Sequence, residues 1–337
     1  MANLTTKYLG IELKNPVIIG ASNLVTNIDN LKKMEDAGAA AIVYKSLFEE
    51  QIQLENLQMF EQMDEYAGRH AEGTSLFPDV EHAGPEEHLM NLARAKKAVD
   101  IPIFASLNAV NFESWIEYSK KIEQTGVDGL EINFYSVPTD FELMGKSIIH
   151  EKFDILEAVK RSVKIPVAVK LSPFYTNPLY VIKEMDKLGA DGFVLFNKLF
   201  QPEIDIDTEK LRFPYNLSVS DDSRLPLRFA GLIYGNINAG VCSSRGIFTG
   251  EDVISMILAG SDCVQVVSTL YKNGIDQIES ILTDVERWMD EKGYKTLDDF
   301  RGKMSRKNID DHFAYRRAQY VDILMKSDEI FKKYPAV

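Results

Sequence analysis

Short apolar runs of four to six residues recur along the chain, and between them lie longer stretches with apolar positions at helical spacing. One set of runs follows a glycine: AGAAAIVYKS (37–46), TGVDGLEIN (125–133), LGADGFVLFN (188–197) and AGSDCVQVVS (259–268). A glycine in this place suits the end of a helix, because it reaches the left-handed conformation without a Cβ penalty. A second set opens on proline: NPVIIGAS (15–22), IPIFASLN (101–108) and IPVAVKLS (165–172), with INAGVCSS (237–244) as a fourth member that lacks it. Proline costs least at a strand's first position, where its missing N–H breaks no ladder. The two sets alternate strictly and give eight strands, rich in Val, Ile, Leu and Phe as strands buried on both faces are. Amphipathic stretches over 27–37, 86–99, 112–125, 148–163, 178–188, 222–234, 249–259 and 274–292 predict helices between them.

Eight strands alternating with eight helices predict an α/β fold of the (β/α)8 TIM-barrel type. An open doubly wound sheet is the alternative, but no strand is followed by the G-x-G-x-x-G of a dinucleotide site. Two connections are long, 46–85 after the second strand and 199–221 after the sixth, and connections of that length at the C-terminal face act as lids or binding loops. The first carries Phe60, Tyr66, Phe77 and Pro78 among polar residues. Residues 1–303 are read as the barrel, and 304–337 as a helical extension packed on the barrel or on a partner subunit.

Composition narrows the class. Of 337 residues, 45% are hydrophobic and 26% charged, which is the make-up of a globular protein with a sizeable core. A net charge of −13 provides no basic field for nucleic acid or for an anionic membrane surface, although a single phosphate needs only a few local donors. Two cysteines, Cys242 and Cys263, supply neither a disulfide framework nor a four-thiolate cluster. No secretory signal and no apolar run of membrane-spanning length is found, so a cytoplasmic protein is expected.

Polar residues close every predicted strand: Ser22, Lys45–Ser46, Ser106 and Asn108, Glu131 and Asn133, Lys170 and Ser172, Asn197–Lys198, Ser243–Ser244–Arg245, and Ser268. In a β/α barrel these positions line the active site. Lys45 and Lys170 are the least ordinary, since a lysine ending an apolar strand is partly desolvated and favours an anionic partner. Each can face an electron-rich ring or an anionic substrate, form an imine, or pair with Glu131 across the barrel mouth. In CSSRGIFTGED (242–252), Ser244, Arg245 and Gly246 precede a helix whose expected cap is Thr249, and Ser268 and Thr269 lie in the eighth unit opposite. Loops after the last two strands of such barrels bind phosphate. The five histidines have no metal-ligand spacing, most are read as loop or exposed-helix residues, and no metal is expected. Asp140, Glu142 and the acidic stretch 49–65 are read as solvated helix faces.

The chain resembles the dihydroorotate dehydrogenase family of FMN-dependent β/α barrels over residues 3–303. The likeness rests on KYLGIELKNPVIIGAS (7–22), VYKS (43–46), VPTDFE (137–142), AVKLSPFYT (168–176), ILAGSDCVQVVSTLYKNG (257–274) and GYKTLDDFRGK (293–303). It implies flavin contacts at Ala21, Ser22, Lys45, Ser46, Asn108, Lys170 and Asn197. It implies a phosphate grip at Arg245, Gly246, Val267 and Ser268, beside Ser244, with Lys170 at the pyrimidine side of the isoalloxazine and Lys45 near ring and substrate. A small-molecule substrate and a homodimer are implied as well.

The family's proton-accepting Cys or Ser aligns with Phe134, which accepts no proton. Its two substrate-binding asparagines of this segment align with Glu131 and Ser136, and its Asn-Ser-Met-Gly-Leu loop is missing from 46–85. Arg245 and Val267 stand where glycines are usual. The cofactor half is therefore expected to be kept and the substrate half rebuilt, with Lys45, Glu131 and Ser136 as candidate catalytic residues and Tyr135 a further choice of base. An imine-forming lyase and a binding barrel without chemistry are the competing readings.

Overall fold

The computed structural model describes residues 2–53 and 84–334. Most of the connection expected over 46–85 thus lies outside the described residues, including Phe60, Tyr66, His70, Phe77, Pro78 and His82.

A short antiparallel hairpin, β1 (Thr6–Tyr8) and β2 (Ile11–Leu13), precedes the barrel. Then come β3 (Val17–Ile19), β4 (Ala41–Phe48), β5 (Ile103–Asn108), β6 (Gly129–Asn133), β7 (Val167–Leu171) and β8 (Gly192–Leu195). The pair β9 (Glu203–Asp205) and β10 (Lys210–Arg212) forms a separate hairpin, and β11 (Gly240–Ser244) and β12 (Cys263–Val266) complete the set. Strands β3 to β8, β11 and β12 are all parallel, and β12 pairs with β3 to close the barrel. Closure excludes the open sheet. The helices expected between the strands are present, from Ile28–Asp36 through Gln277–Lys292. A hairpin within 199–221 and a one-turn-longer N-terminus on the helix Gly145–Ser162 were not expected from the pattern.

The repeat glycines act as predicted: Gly38, Gly126, Gly189 and Gly260 all have positive φ, from 84° to 128°. The aspartates two residues later have a role the pattern did not suggest. Asp128, Asp191 and Asp262 each accept a backbone N–H at the start of the preceding barrel strand (Ile103, Val167 and Val241) at 2.7 Å. These latches lie at the N-terminal face, where the fold is stabilised rather than used.

Alternation along each strand divides the core in two. Ile18, Val43, Phe104, Ala168, Val194, Cys242 and Cys263 fill the interior, while Ile19, Ile42, Leu107, Ile132, Val169 and Leu195 pack outward under the helices. The β1–β2 hairpin plugs the N-terminal end with Tyr8 and Leu9, so close to the strands that a Cβ on Gly192 would sit 2.7 Å from Leu9. Chemistry is left to the opposite end.

Beyond the last barrel helix the chain stays tied to the barrel through Gly302 N–H to Ile257 O, Met304 N–H to Leu258 O and Arg306 N–H to Gly231 O. The helices Ala318–Met325 and Ser327–Lys333 bury no residue. Among the described residues no helix is long and apolar enough to cross a membrane.

Candidate functional site

One step above the interior apolar layer, the inward positions become polar. Glu131 of β6, Lys170 of β7 and Gln265 of β12 meet across the barrel. Lys170 Nζ donates to Glu131 Oε1 at 3.3 Å and to Gln265 Oε1 at 3.2 Å, and Gln265 Nε2 donates to Glu131 Oε2 at 2.6 Å. All three are buried, so each charge or dipole needs the other two. Of the two lysines for which pairing with Glu131 was an open reading, Lys170 makes the pair, because β6 and β7 are neighbours in the barrel. On the other side, the Ser46 and Ser106 hydroxyls hydrogen-bond at 2.7 Å.

Lys45 owes its place to a β-bulge. The pairing of β4 with β5 shifts between Val43 and Ser46, so one extra residue is accommodated. Tyr44 and Leu47 therefore both belong to the outward-packed core, with Lys45 and Ser46 between them. Lys45 makes no ion pair among the described residues. Its charge is felt by His88, whose pKa falls to about 4, first through burial and then through Lys45. His88 stacks edge-on against Tyr44, at 5.6 Å between centroids, and is buried, unlike the exposed positions read for most of the histidines.

A lattice of asparagines caps the polar layer. Asn108 Nδ2 donates to Asn133 O at 2.6 Å, and Asn197 Nδ2 donates to Asn133 Oδ1 at 2.7 Å. Three strand ends are thereby held in register, with the amides of Asn108 and Asn197 at the rim.

The other side of the rim is a cavity of about 130 Å³ lined by Ala21, Lys170, Asn197, Arg245, Val267 and Ser268, among others. Arg245 adopts φ +85° and Gly246 φ +67°. Glycine is obligatory at 246, since a Cβ there would lie 2.3 Å from the Ser223 nitrogen. Arg245 has no such freedom; its strained backbone is accompanied by an ion pair from Nη2 to Asp222 Oδ1 at 2.8 Å. Lys198 Nζ reaches the other Asp222 oxygen at 2.9 Å. Burial alone would raise the Asp222 carboxyl, but the Lys198 hydrogen bond, the Val219 N–H and the Arg245 charge together hold it below the usual carboxylate range. Two cations share one anion here, which leaves the loop net positive beside the cavity. Arg245 Nε, and Ser22 Oγ at a neighbouring strand end, are buried without a partner among the described residues.

The residues expected to hold a phosphorylated cofactor thus fall into two groups. Ala21, Lys170, Asn197, Ser244, Arg245, Gly246, Val267 and Ser268 line one cavity, whereas Ser22, Lys45, Ser46 and Asn108 are at the strand ends but not on its wall. The candidate catalytic residues are not brought together. Glu131 lies beneath the rim, committed to Lys170 and Gln265, while Ser136 is exposed at the edge of a second cleft. Phe134 faces away from the cavity, its ring packed edge-on against Trp115 at 5.4 Å in the outward core. Tyr135 is half-buried, and its hydroxyl oxygen accepts the Phe200 N–H at 3.3 Å.

Several site residues were missed. Gln265 is a lone amide in an apolar run, at an inward position by alternation, and that was a usable signal. Asp222 and Tyr215 come from the 199–221 connection and its following turn, whose path no periodicity gives. Glu49, read as part of a solvated acidic stretch, is buried and accepts from Val110 N–H, Asn111 Nδ2 and Ser114 Oγ, tying the end of β4 to the loop after β5. Asp140 and Glu142 are exposed, but in the loop before the helix Gly145–Ser162 rather than on a helix face.

The family model for dihydroorotate dehydrogenase matches residues 3–289. The catalytic subunit of dihydroorotate dehydrogenase B (NAD+) from Thermoplasma volcanium is 30% identical over 308 residues, which are 90% of this chain and 98% of the relative. The corresponding subunit from Methanocaldococcus jannaschii is 28% identical, over 89% of this chain and 97% of its own length. A dihydroorotate dehydrogenase A (fumarate) from Lactobacillus helveticus is 28% identical over 61% of this chain and 68% of that protein.

Proposed function

The chain belongs to the dihydroorotate dehydrogenase family, and on that premise we propose that it is an FMN-dependent oxidoreductase acting on a CH–CH bond of a small substrate. Oxidation of dihydroorotate to orotate, a step of pyrimidine biosynthesis, is the first reaction to test, since the relatives are named for it. The observation that carries the cofactor reading is that one cavity gathers both halves of the expected site. Residues assigned by family likeness to the ring, Ala21, Lys170 and Asn197, share its wall with those assigned to the phosphate, Ser244 to Gly246 and Val267–Ser268.

These residues fit FMN chemically. Arg245 Nε, on the cavity wall, is a buried polar atom with no partner among the described residues. Arg245 and Lys198 outnumber Asp222, so a phosphate meets a net cation. When bound, FMN supplies the hydride-accepting ring. Lys170 holds a fixed positive charge at the cavity wall, where negative charge on a reduced ring is stabilised. Glu131 and Gln265 lock that ammonium in one position, so no reorganisation is required during turnover. Asn108, Asn133 and Asn197 fix the rim. Phe134 is turned into the outer core and accepts no proton, so Lys45 at its strand end and Ser136 at the edge of the neighbouring cleft are the candidates for orienting a substrate.

An imine-forming Lys170 is disfavoured by the same geometry, as its ammonium is engaged by Glu131 and Gln265. The test is spectroscopic. Protein that is purified yellow, or that takes up FMN on reconstitution, should bleach anaerobically with dihydroorotate. Protein that acquires no flavin band would overturn the cofactor reading, and a flavin that dihydroorotate leaves oxidised would move the substrate elsewhere. A homodimer belongs to the same proposal and is checked by sedimentation.

A further inference from the structure

A second cleft, of about 860 Å³, opens beside the cofactor cavity and, among the described residues, shares only Phe200 with its wall. It lies between the first turns of the helix Gly145–Ser162 and the loops after β7 and β8. Its volume is that of a small-molecule site. Lys146, His150 and Lys152 contribute to the lining, and no acidic residue does so among the described residues, although the chain carries a net charge of −13.

Lys152 is the centre of this imbalance. Its ammonium lies 5.2 Å from the Tyr175 ring centroid and 5.8 Å from that of Phe134, and it hydrogen-bonds the Tyr175 hydroxyl at 3.3 Å. It has no carboxylate at ion-pair distance among the described residues. Burial lowers its pKa, and the charge of Glu151, pulling the other way, does not make up the difference. An ammonium held among aromatic rings without a counter-ion gains more than an exposed one from an arriving anion. The rest of the lining is suited to carbon: Phe174 is 74% exposed and Tyr180 51% exposed, and both border the cleft with Ile148 and Ile149.

We propose that this cleft binds a small carboxylate with an aromatic or apolar body, the carboxylate at the Lys152 ammonium and the body against Phe174 and Tyr180. Ser136, a candidate of the flavin reading, borders the cleft, but binding at Lys152 is read without flavin or turnover, so either can fail without the other.

The test uses the full chain titrated calorimetrically with 2-naphthoate and with its neutral counterpart, 2-naphthamide. Naphthoate should bind saturably and at least about tenfold more tightly than the amide. Lys152→Met, with an unchanged melting temperature, should weaken naphthoate by about tenfold or more and leave the amide within about twofold, while Lys152→Arg restores the preference. Should Lys152→Met fold poorly, Phe174→Glu alters an exposed position, brings a negative charge to the cleft and should abolish naphthoate binding. Absence of saturable naphthoate binding to the folded protein overturns the proposal. So does naphthoate binding that neither Lys152→Met nor Phe174→Glu diminishes.

Discussion

Lys170 and Glu131 form a buried ion pair, 3.3 Å from Nζ to Oε1, that Gln265 bridges from the far side of the barrel. Taking two charges out of water is costly, and removal of one leaves the other unpaired. Lys170→Met and Glu131→Leu should therefore each lower the unfolding free energy by about 3–5 kcal/mol. The double variant should lose less than the sum of the two by at least about 1 kcal/mol. Denaturant titration of the four proteins measures this directly, and strictly additive losses would show that the pair is not coupled.

Much of this architecture was legible in the sequence because two independent signals repeat. The helix-ending glycines and the strand-opening prolines alternate, and each maps onto one barrel strand. The polar strand ends were equally readable, since alternation decides which residues face inward. The bulge in β4 was not, because an inserted residue leaves the composition of VYKS unchanged. Nor was the path of Asp222, which reaches Arg245 through a long connection without periodicity. Nor does the sequence hold the direction of Phe134, which is set by packing on Trp115.

His88 gives a pH dependence with a definite sign. Its folded pKa, about 4, is below the ordinary histidine value of 6.5. The unfolded chain thus binds a proton below pH 6.5 that the folded chain refuses, so the stability this residue contributes is complete above pH 6.5 and is lost as pH falls toward 4. The loss approaches about 3 kcal/mol at the lower end. His88→Phe, which keeps a ring against Tyr44, should flatten the stability profile between pH 6.5 and 4 relative to the parent. Parallel profiles for the two proteins would contradict it.

Cys242 and Cys263 are register partners on β11 and β12, and both are buried in the barrel interior. Burial pushes the Cys263 thiol far above its ordinary range, and a hydrogen bond and charge from Cys242 act in the same direction. A thiol so placed carries little thiolate. Ellman's reagent should therefore find no reactive thiol in the native protein at about pH 8, and both in denaturant. Fast labelling of the native chain would mean that the barrel interior opens on the timescale of the reaction.

Arg245 combines a backbone conformation that favours glycine with a charge that glycine lacks. Arg245→Gly separates the two. Relief of the positive φ, worth about 1–2 kcal/mol, opposes the loss of the Asp222 ion pair, so the melting temperature should change little. Flavin affinity should fall by at least about tenfold, because the cation next to the phosphate is gone and Asp222 keeps only Lys198. Arg245→Lys keeps a charge without the planar fork and should fall between the two. Dissociation constants for FMN from fluorescence quenching rank the three proteins. Equal constants for Arg245→Gly and the parent would remove Arg245 from the phosphate grip and leave Gly246, Val267 and Ser268 to hold it through backbone and hydroxyl groups.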